Sequence, residues 1–416
     1  MTDTPRGAAP EVVLAAYGEI GVKSSRVRGR MERRLRDNLA AVLDDRGIDA
    51  AVERRWSRLV VETPDPDAAA AAAADVPGVV WARPAAVVPP TLDAVARTTA
   101  ALAERVEPTT FAVRANRAGP PERHPFSARE VERRAGAAVE AATDATVDLD
   151  DPGTTIRVDV RERDAFVSPR EVRGPGGLPV GTQGRAVALV SGGIDSPVAA
   201  WETMRRGCAV VPTYVDLGDY GGADHRARAI RTIRRLARYA PNEDLRPRVV
   251  EAGDIAADLV ESVDDTRMLS LRRAMLAAGA ALAERTGADA VVTGESIGQK
   301  SSQTGPNLAV TDAAVDLPVH RPLLTRDKEE VVAAARDLGT FEDATVAAGC
   351  QRVAPTAPET RASLDAVAAA EPGDLLDRAR AAGRDARVIE VGASADADAD
   401  PGAGPGAGAG AGGRGA

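Results

Sequence analysis

The stretch richest in chemistry is Ala188 to Trp201, ALVSGGIDSPVAAW. Apolar residues run into Ser191-Gly192-Gly193-Ile194-Asp195-Ser196, and Pro197 stands where a helix begins. Two residues without Cβ let the backbone close on an anion, and the helix N-terminus presents unpaired N–H groups and the positive end of its dipole. The kinase-type phosphate loop, GxxxxGK[ST], is absent. The chain has only two cysteines, Cys208 and Cys350, far apart. They cannot make a disulfide framework, so any role for a cysteine would be catalytic. Cys208 leads into the apolar run CAVVPTYV and reads as a core residue.

SGGIDS resembles the SGGxDS signature of the PP-loop ATP pyrophosphatases. That resemblance implies cleavage of ATP to AMP and pyrophosphate, with adenylation of an oxygen or carbonyl on the substrate. Three further stretches agree with it. TGESIGQKSSQT, from Thr293, follows a strand and supplies Gly294, Glu295 and Gln303. RMLSLRRAM puts Arg272 and Arg273 on a helix whose apolar face packs on a sheet. RPLLTRDKEEVV places Lys328 at the start of a helix, where a cation can face a leaving pyrophosphate. Lys328 stands out because the chain has only three lysines, Lys23, Lys300 and Lys328. For most arginines a solvated helix face is the plainer explanation.

These motifs need elements to hold them. From Arg185 the pattern is strand–loop–helix repeated, with strands expected at Ala186–Val190, Ala209–Val215, Arg248–Glu251 and Ala290–Thr293. This predicts an open parallel α/β sheet with helices on both faces. Before it, Glu11–Ile20 reads as a buried strand, and Ser25–Leu43 as an arginine-rich amphipathic helix with Met31, Leu35, Leu39 and Leu43 spaced by four. Val52–Val61 reads as one strand, and the alanine run from Ala68 as a helix that Pro77 and Gly78 end. A second αβ segment has helices at Leu92–Val106 and Ser127–Ala142 and strands at Thr110–Arg114, Ile156–Val160 and Ala165–Ser168. Ser127 with Glu130 fits a capping box. Gly174–Gly184 is a Gly/Pro-rich connection, and the Gly/Ala-rich segment after Val391 is expected to be disordered.

A length of 416 residues gives room for two or three domains. The hydrophobic fraction of 44% and charged fraction of 28% are ordinary for a soluble globular protein. No membrane-spanning run and no basic region followed by an apolar core is seen at the N-terminus, so a cytoplasmic location is expected. The net charge of −9 looks wrong for a nucleic-acid binder. However, residues 1–185 carry 27 Lys plus Arg against 28 Asp plus Glu (net −1), and the remainder 26 against 34 (net −8). Binding to phosphates depends on local potential, so the near-neutral first half can hold an RNA site.

Across residues 11–360 the chain resembles the tRNA 4-thiouridine synthetases (tRNA sulfurtransferases) without a rhodanese domain. YGEIGVKSSRVRGRMERRL resembles that family's ferredoxin-like domain, and FAVRANRAGPPERHPFSAREVERRAGAAV with FVSPREVRGPGGLPVGTQGR its THUMP domain and the link onward. LVSGGIDSPVAAW, VVTGESIGQKSSQT and LPVHRPLLTRDKEEV match its catalytic domain. The implied domains are ferredoxin-like (1–75), THUMP (76–173), a linker (174–184), a PP-loop domain with a doubly wound parallel sheet (185–391) and a tail (392–416).

The resemblance also implies roles. ATP would be held by Leu189, Val190, Ser191, Gly192, Gly193 and Ser196, with Tyr214 and Val215 from the next strand end. Arg272, Gly294 and Gln303 would complete that site. Asp195 would act near the triphosphate through Mg2+, with Lys328 and Cys350 as its catalytic partners. Arg114, Arg117, Arg123, Arg129, Arg133 and Arg134 would contact tRNA phosphates; Arg26, Arg28, Arg30, Arg33 and Arg34 are weaker candidates.

Adenylation turns the O4 of uridine, a poor leaving group, into AMP, which a sulfur nucleophile can displace. Some archaeal members carry a CxxC pair associated with an iron–sulfur cluster; Met268 and Leu271 stand there in this chain, so no internal cluster is expected. Some 66 residues follow Cys350, too few for a rhodanese-like domain. Sulfur is therefore expected from a separate persulfide-bearing protein or from sulfide. The family pairing as a homodimer is a further expectation. Competing functions are sulfur delivery to a carrier protein for thiamine thiazole synthesis, another PP-loop tRNA modification, and tRNA binding without catalysis.

Overall fold

The computed structural model describes residues 10–119, 121–344 and 352–390, so Cys350 and the C-terminal tail lie outside the described residues. The chain divides into two compact units. One comprises Met1–Gly184 with Met204–Ala209 and Arg238–Glu243; the other comprises the rest.

The first unit is built on one nine-stranded sheet. Its elements run β1 (Val12–Tyr17), α1 (Ser25–Asp45), β2 (Ala51–Arg55), β3 (Arg58–Glu62), α2 (Pro66–Ala73) and β4 (Val79–Val88). They continue with α3 (Leu92–Val106), β5 (Thr110–Arg117), α4 (Ala128–Ala142), β6 (Thr146–Val147), β7 (Thr154–Val160), β8 (Ala165–Ser168) and β9 (Val172–Arg173). The strand order is β2-β3-β1-β4-β8-β7-β5-β6, with β9 also on β4. Val13, Ala15, Leu59 and Val61 meet Leu35 and Leu39 of α1 in one core. Phe111, Ile156 and Val158 meet Leu102 of α3 and Val131 of α4 in another. The predicted capping box forms: the Ser127 side chain accepts from the Glu130 N–H, and Glu130 accepts from the Ser127 N–H at 2.7 Å.

Two differences from the sequence-based expectation have clear causes. Val52–Val61 is not one strand but a hairpin, β2 and β3, joined at Trp56-Ser57 with Arg55 opposite Arg58. No Asn-Gly or Gly signal marks that turn. β4, expected by no periodicity, is the central strand of the unit. Its Pro84 argues against a central strand, yet it falls between the stretches where β4 pairs with β9 (Trp81–Ala82) and with β8 (Ala86–Val88), so its missing donor breaks neither ladder. The Gly174–Gly184 segment is packed: Leu178 and Val180 are buried, and Gly78 N–H donates to the Gly176 carbonyl.

The second unit runs β10 (Arg185–Leu189), α5 (Asp195–Arg205), β11 (Ala209–Asp216), α6 (Ala223–Ala237), β12 (Arg248–Glu251), α7 (Gly253–Ser262), α8 (Arg267–Thr286) and β13 (Ala290–Val292). It ends with α9 (Gly305–Asp312), β14 (Val319–His320), α10 (Lys328–Asp337), α11 (Leu364–Ala370), α12 (Leu375–Arg384) and β15 (Arg387–Val388). The sheet order is β14-β13-β10-β11-β12-β15, parallel at β10–β13, β13–β14 and β11–β12 and antiparallel only where β15 joins β12. Side chains alternate between its two faces. Val215 and Val250 pack towards Leu259 of α7 and Leu276 of α8, whereas Tyr214 and Val249 pack with Ala229 of α6. The sheet is covered on both sides, as the repeated strand–helix pattern predicts.

Helices α8 and α12 meet backbone to backbone at Gly383, where an added Cβ would stand 2.1 Å from the Ala278 carbonyl oxygen. On helix propensity alone Gly383→Ala would stabilise by about 1 kcal/mol. The clash reverses the sign: we expect this change to destabilise by about 1–3 kcal/mol, read from the midpoint of urea unfolding.

Candidate active site

The sheet of the second unit reverses its strand order at β10: the chain moves from there to β11 and β12 on one side, then to β13 and β14 on the other. In open α/β sheets such a switch point leaves a crevice beyond the carboxyl ends of the strands. A cavity of about 250 Å³ occupies that place. Leu189, Val190, Ser191, Gly193, Asp195 and Ser196 line it from the first strand and its loop. Tyr214 and Val215 line it from β11, and Arg272, Gly294 and Gln303 from α8 and the loop after β13. Residues as far apart in the chain as Leu189 and Gln303 thus surround one space. Gly192 lies at the back of the loop, where an added Cβ would meet the Arg228 side chain at 3.1 Å.

The loop is held before any ligand arrives. Val190 N–H donates to the Thr213 carbonyl at 2.8 Å, fixing the strand end. Ser196 Oγ accepts from Ser191 N–H at 2.8 Å and lies 3.0 Å from Ser191 Oγ, which accepts from Gly193 N–H at 3.3 Å. The two serines of the motif therefore brace its two ends. Gly294 is required sterically: a Cβ there would stand 2.7 Å from Ser196 N. The loop after β13 can approach the first turn of α5 only because that side chain is missing.

The cavity is chemically divided. Leu217, Met268, Leu271 and Met275 give one apolar wall. The serines, Asp195, Arg272 and Glu295 make up the polar end of its lining. At that end both oxygens of Asp195 are engaged: Lys328 Nζ lies 2.6 Å from Oδ1, and Gln299 Nε2 donates to Oδ2 at 3.1 Å. Lys328 opens α10, and Asp195 opens α5. An apolar wall beside a phosphate-type loop suits a nucleoside triphosphate, with the base against the thioethers and the phosphates at the glycines.

The charge centre of the site is Glu295. Its carboxylate, 4% exposed, receives Arg272 Nη1 on one oxygen and Arg321 Nε, at 2.8 Å, with Thr293 Oγ, at 2.9 Å, on the other. Arg321 in turn grips Asp312 with two donors, at 2.6 and 3.1 Å. Burial by itself would raise the Glu295 pKa; Arg272 and Arg321 outweigh it and hold the group below its ordinary value. Burial likewise works against the charge of Arg321, and Asp312 and Glu295 more than restore it. Arg273, beside Arg272 in sequence, points elsewhere: it is buried against Glu371 at 2.8 Å and donates to the Val310 carbonyl, a structural role.

Sequence reasoning named Glu295 without a role and missed Arg321, Asp312 and Gln299. Nothing in their spacing announces the pairing, since Arg321 and Glu295 are 26 positions apart. Cys350 lies outside the described residues. The Cys208 thiol donates to the Gln183 carbonyl at 3.3 Å, and this residue is part-exposed rather than core. Among the described residues no cluster of three His, Cys, Asp or Glu could hold a metal ion.

The arginines expected to meet RNA fall into groups. Arg123, Arg133 and Arg134 line a surface recess of about 780 Å³ between the start of α3 and α4. Arg129 is exposed on α4 outside its lining. Arg114 and Arg117, on β5, bond the carbonyls of Leu149 and His124. In the α1 cluster Arg26, Arg28, Arg30 and Arg33 are exposed, while Arg34 is part-buried and bonds the Val180 carbonyl at 2.9 Å and Glu243.

Removing one partner from a buried ion pair strands the other charge. We expect Glu295→Ala to cost about 3–5 kcal/mol in denaturant unfolding. Because the folded-state pKa is depressed, the stabilisation from Glu295 is complete above the ordinary 4.5 and is lost as pH falls through the folded value. Glu295→Gln should therefore flatten the acid limb of the stability–pH curve.

Comparison with known proteins agrees with this architecture. Residues 12–82 match a family profile described as the ThiI ferredoxin-like domain, residues 90–169 the THUMP domain, and residues 181–374 the thiamine biosynthesis protein ThiI. The chain is 52% identical over 392 residues to a probable tRNA sulfurtransferase of Halobacterium salinarum, covering 93% of this chain and 99% of that protein. A tRNA sulfurtransferase of Pyrobaculum aerophilum is 36% identical over 337 residues, covering 80% of this chain and 67% of its own length. Among solved structures, a 4-thiouridine synthetase in complex with RNA and bound ATP superposes with a TM-score of 0.80 at 29% identity, covering 91% of this chain and 99% of that one. With the ferredoxin-like, THUMP and PP-loop parts in that order, the chain belongs to the tRNA sulfurtransferase (ThiI) family.

Proposed function

We propose that this protein is an ATP-dependent tRNA sulfurtransferase that replaces the O4 of a uridine, position 8 by family resemblance, with sulfur. The observation that carries the reading is the braced SGGIDS loop at the mouth of a cavity with one apolar wall, closed by the Asp195–Lys328 pair. In the reaction, uridine O4 attacks the α-phosphorus of ATP and pyrophosphate leaves. A sulfur nucleophile then adds at C4 and AMP departs. Leu189, Val190, Tyr214 and Val215 flank the nucleoside, and Ser191, Gly192, Gly193 and Ser196 offer main-chain and hydroxyl donors to the phosphates. Gln303, buried, accepts from Ser296 N–H and keeps the loop after β13 in place. Arg272, held in place by Glu295, lines the cavity as a guanidinium donor to the nucleotide.

Mg2+ fits this donor set: it keeps several waters and takes one or two carboxylates plus substrate phosphates, and Asp195 is the carboxylate at hand. When bound, it would neutralise charge on the departing pyrophosphate. Lys328, now on Asp195, is placed to turn its ammonium to the same oxygens. Arg114, Arg117, Arg123, Arg129, Arg133 and Arg134 are the candidates for tRNA phosphate contacts. Sulfur comes from a separate donor, a persulfide-bearing protein or sulfide; with a persulfide, Cys350 takes the outer sulfur by exchange, that sulfur adds at C4 as AMP leaves, and a thiol reductant breaks the resulting S–S bond to free the 4-thiouridine. No helix among the described residues is long and apolar enough to cross a membrane, which agrees with work on cytoplasmic tRNA, and a homodimer is part of the proposal. A second reading, sulfur delivery to a carrier protein for the thiazole of thiamine, is favoured by the thiamine-biosynthesis description of the matching profile.

Purified protein given transcribed tRNA, ATP, Mg2+ and sulfide should produce 4-thiouridine, detected by nucleoside mass spectrometry, with one pyrophosphate per thiolation. Asp195→Ala should reduce the rate at least about 100-fold, as loss of a fixed charge group in an active site does. Absence of product with the native protein would reject the reading. Cys350→Ala should retain activity with sulfide and lose it with a persulfide donor; equal loss in both would place the thiol in the chemistry at C4. A deletion strain that needs thiamine but keeps 4-thiouridine would favour the carrier-protein reading.

A further inference from the structure

The nine-stranded sheet carries its helices on one face only. On β4, Ala82, Ala86 and Val88 pack in the cores built with α1 to α4, whereas Trp81, Ala85 and Val87 point to the opposite face. That face is continuous from β3 to β7, across both halves of the unit. Its small apolar centre, Val12, Leu14, Val60, Ala85 and Phe166, is buried beneath aromatic and arginine side chains. The Arg83 guanidinium lies 3.6 Å over the Trp81 ring and that of Arg58 5.0 Å from it. Arg161, in the turn after β7, lies 5.5 Å from the Trp56 ring, which meets Phe166 edge-on at 5.6 Å.

Trp56 is held at a cost. It sits in the two-residue connection of the β2–β3 hairpin at φ +55°, a left-handed backbone that glycine or asparagine adopts far more readily than a bulky residue. Yet 48% of it remains exposed, so core packing does not explain its presence there. The charges around it are unbalanced. Four arginines, 58, 83, 157 and 161, face two carboxylates, Asp159 and Glu171. Beside Trp56, Arg55 pairs with both Glu53 and Glu62, which leaves an excess of one positive charge in a chain whose net charge is −9.

Exposed aromatic faces interleaved with guanidinium groups are what an unpaired polynucleotide needs: a surface on which a base stacks, and cations for the phosphates on either side. Double-stranded RNA hides its base faces and would make no use of the indole. We propose that this helix-free face is a stacking platform for unpaired nucleotides of RNA, with Trp56 taking a base and Arg58 and Arg157 the neighbouring phosphates. The proposal rests on the reading of this protein as an RNA-modifying enzyme, and it places an RNA contact away from the α4 recess.

The test uses the full chain and fluorescence anisotropy with a labelled single-stranded oligoadenylate of about ten nucleotides, against a blunt RNA duplex of the same length. Trp56→Ala should weaken the single strand about 5- to 150-fold and change duplex binding by less than about two-fold, while Trp56→Phe recovers most of the affinity. Trp56→Gly, which relieves the backbone, should melt at or above the native temperature and still lose the single strand, a combination that a purely structural role would not give. In thiolation assays Trp56→Ala should raise KM for tRNA and leave kcat unchanged. Equal single-strand affinity in native and Trp56→Ala protein overturns the platform, as does a native protein that ignores the oligonucleotide. Loss of self-association in Trp56→Ala, without loss of RNA affinity, would make the face a contact between copies and also overturn it. A protein that binds the single strand through Trp56 but never thiolates tRNA would keep the platform and remove the enzymatic reading.

Discussion

A buried carboxylate between two guanidinium groups sets the geometry of the catalytic unit. Glu295 follows β13, Arg272 belongs to α8, and Arg321 follows β14 and reaches Asp312 at the end of α9. Four segments that come together only in three dimensions are joined by one charge network. Desolvating such a group is costly, and it is tolerated only because every oxygen is matched by a donor. Arg272 and Arg321 balance Glu295 and Asp312, so the network adds no net charge to the cavity and instead fixes where its members stand.

Two backbone constraints complete the frame. Gly294 lets the loop after β13 lie against the first turn of α5, and the serines 191 and 196 close the glycine turn on itself. Donors are thus aimed before ligand binds, the condition under which electrostatic stabilisation is most effective. The outer pair, Asp195 with Lys328, is open to solvent on one side, with Lys328 about half-exposed and Asp195 part-buried. The site therefore combines a held interior with an outer ion pair whose charges can re-pair.

The first unit obeys a different logic. One sheet spans the ferredoxin-like and THUMP parts through β4, a strand that pairs with β1 on one side and with β8 and β9 on the other. Sharing a central strand makes a single rigid plate of what the profiles describe as two domains. All four helices stay on one side, so the other side is covered only by long side chains. Arginines over indole rings can do this because Asp159 and Glu171 balance their charges: the Arg83 and Arg161 side chains are only 11% exposed.

The local chemistry was legible in the chain by itself. The SGGIDS turn, the alternating strands and helices after Arg185, the capping box at Ser127 and the scarcity of lysine that singles out Lys328 all act within a few residues or within one element's period. The sequence likewise pointed to the family and to the strand, β10, that leads into the cavity. It did not determine what depends on long-range pairing: Glu295 as the hub, Arg321 and Asp312 as its support, Gln299 on Asp195, or the parting of Arg272 towards the cavity from Arg273 towards Glu371. It also hid β4, where Pro84 contradicts local strand propensity and only its place between two partner strands resolves the conflict, and the hairpin at Trp56, whose turn lacks glycine. Periodicity reports which side of an element is apolar; which charges meet, and which strand lies at the centre, are decided by tertiary packing because those choices join residues that share no local pattern.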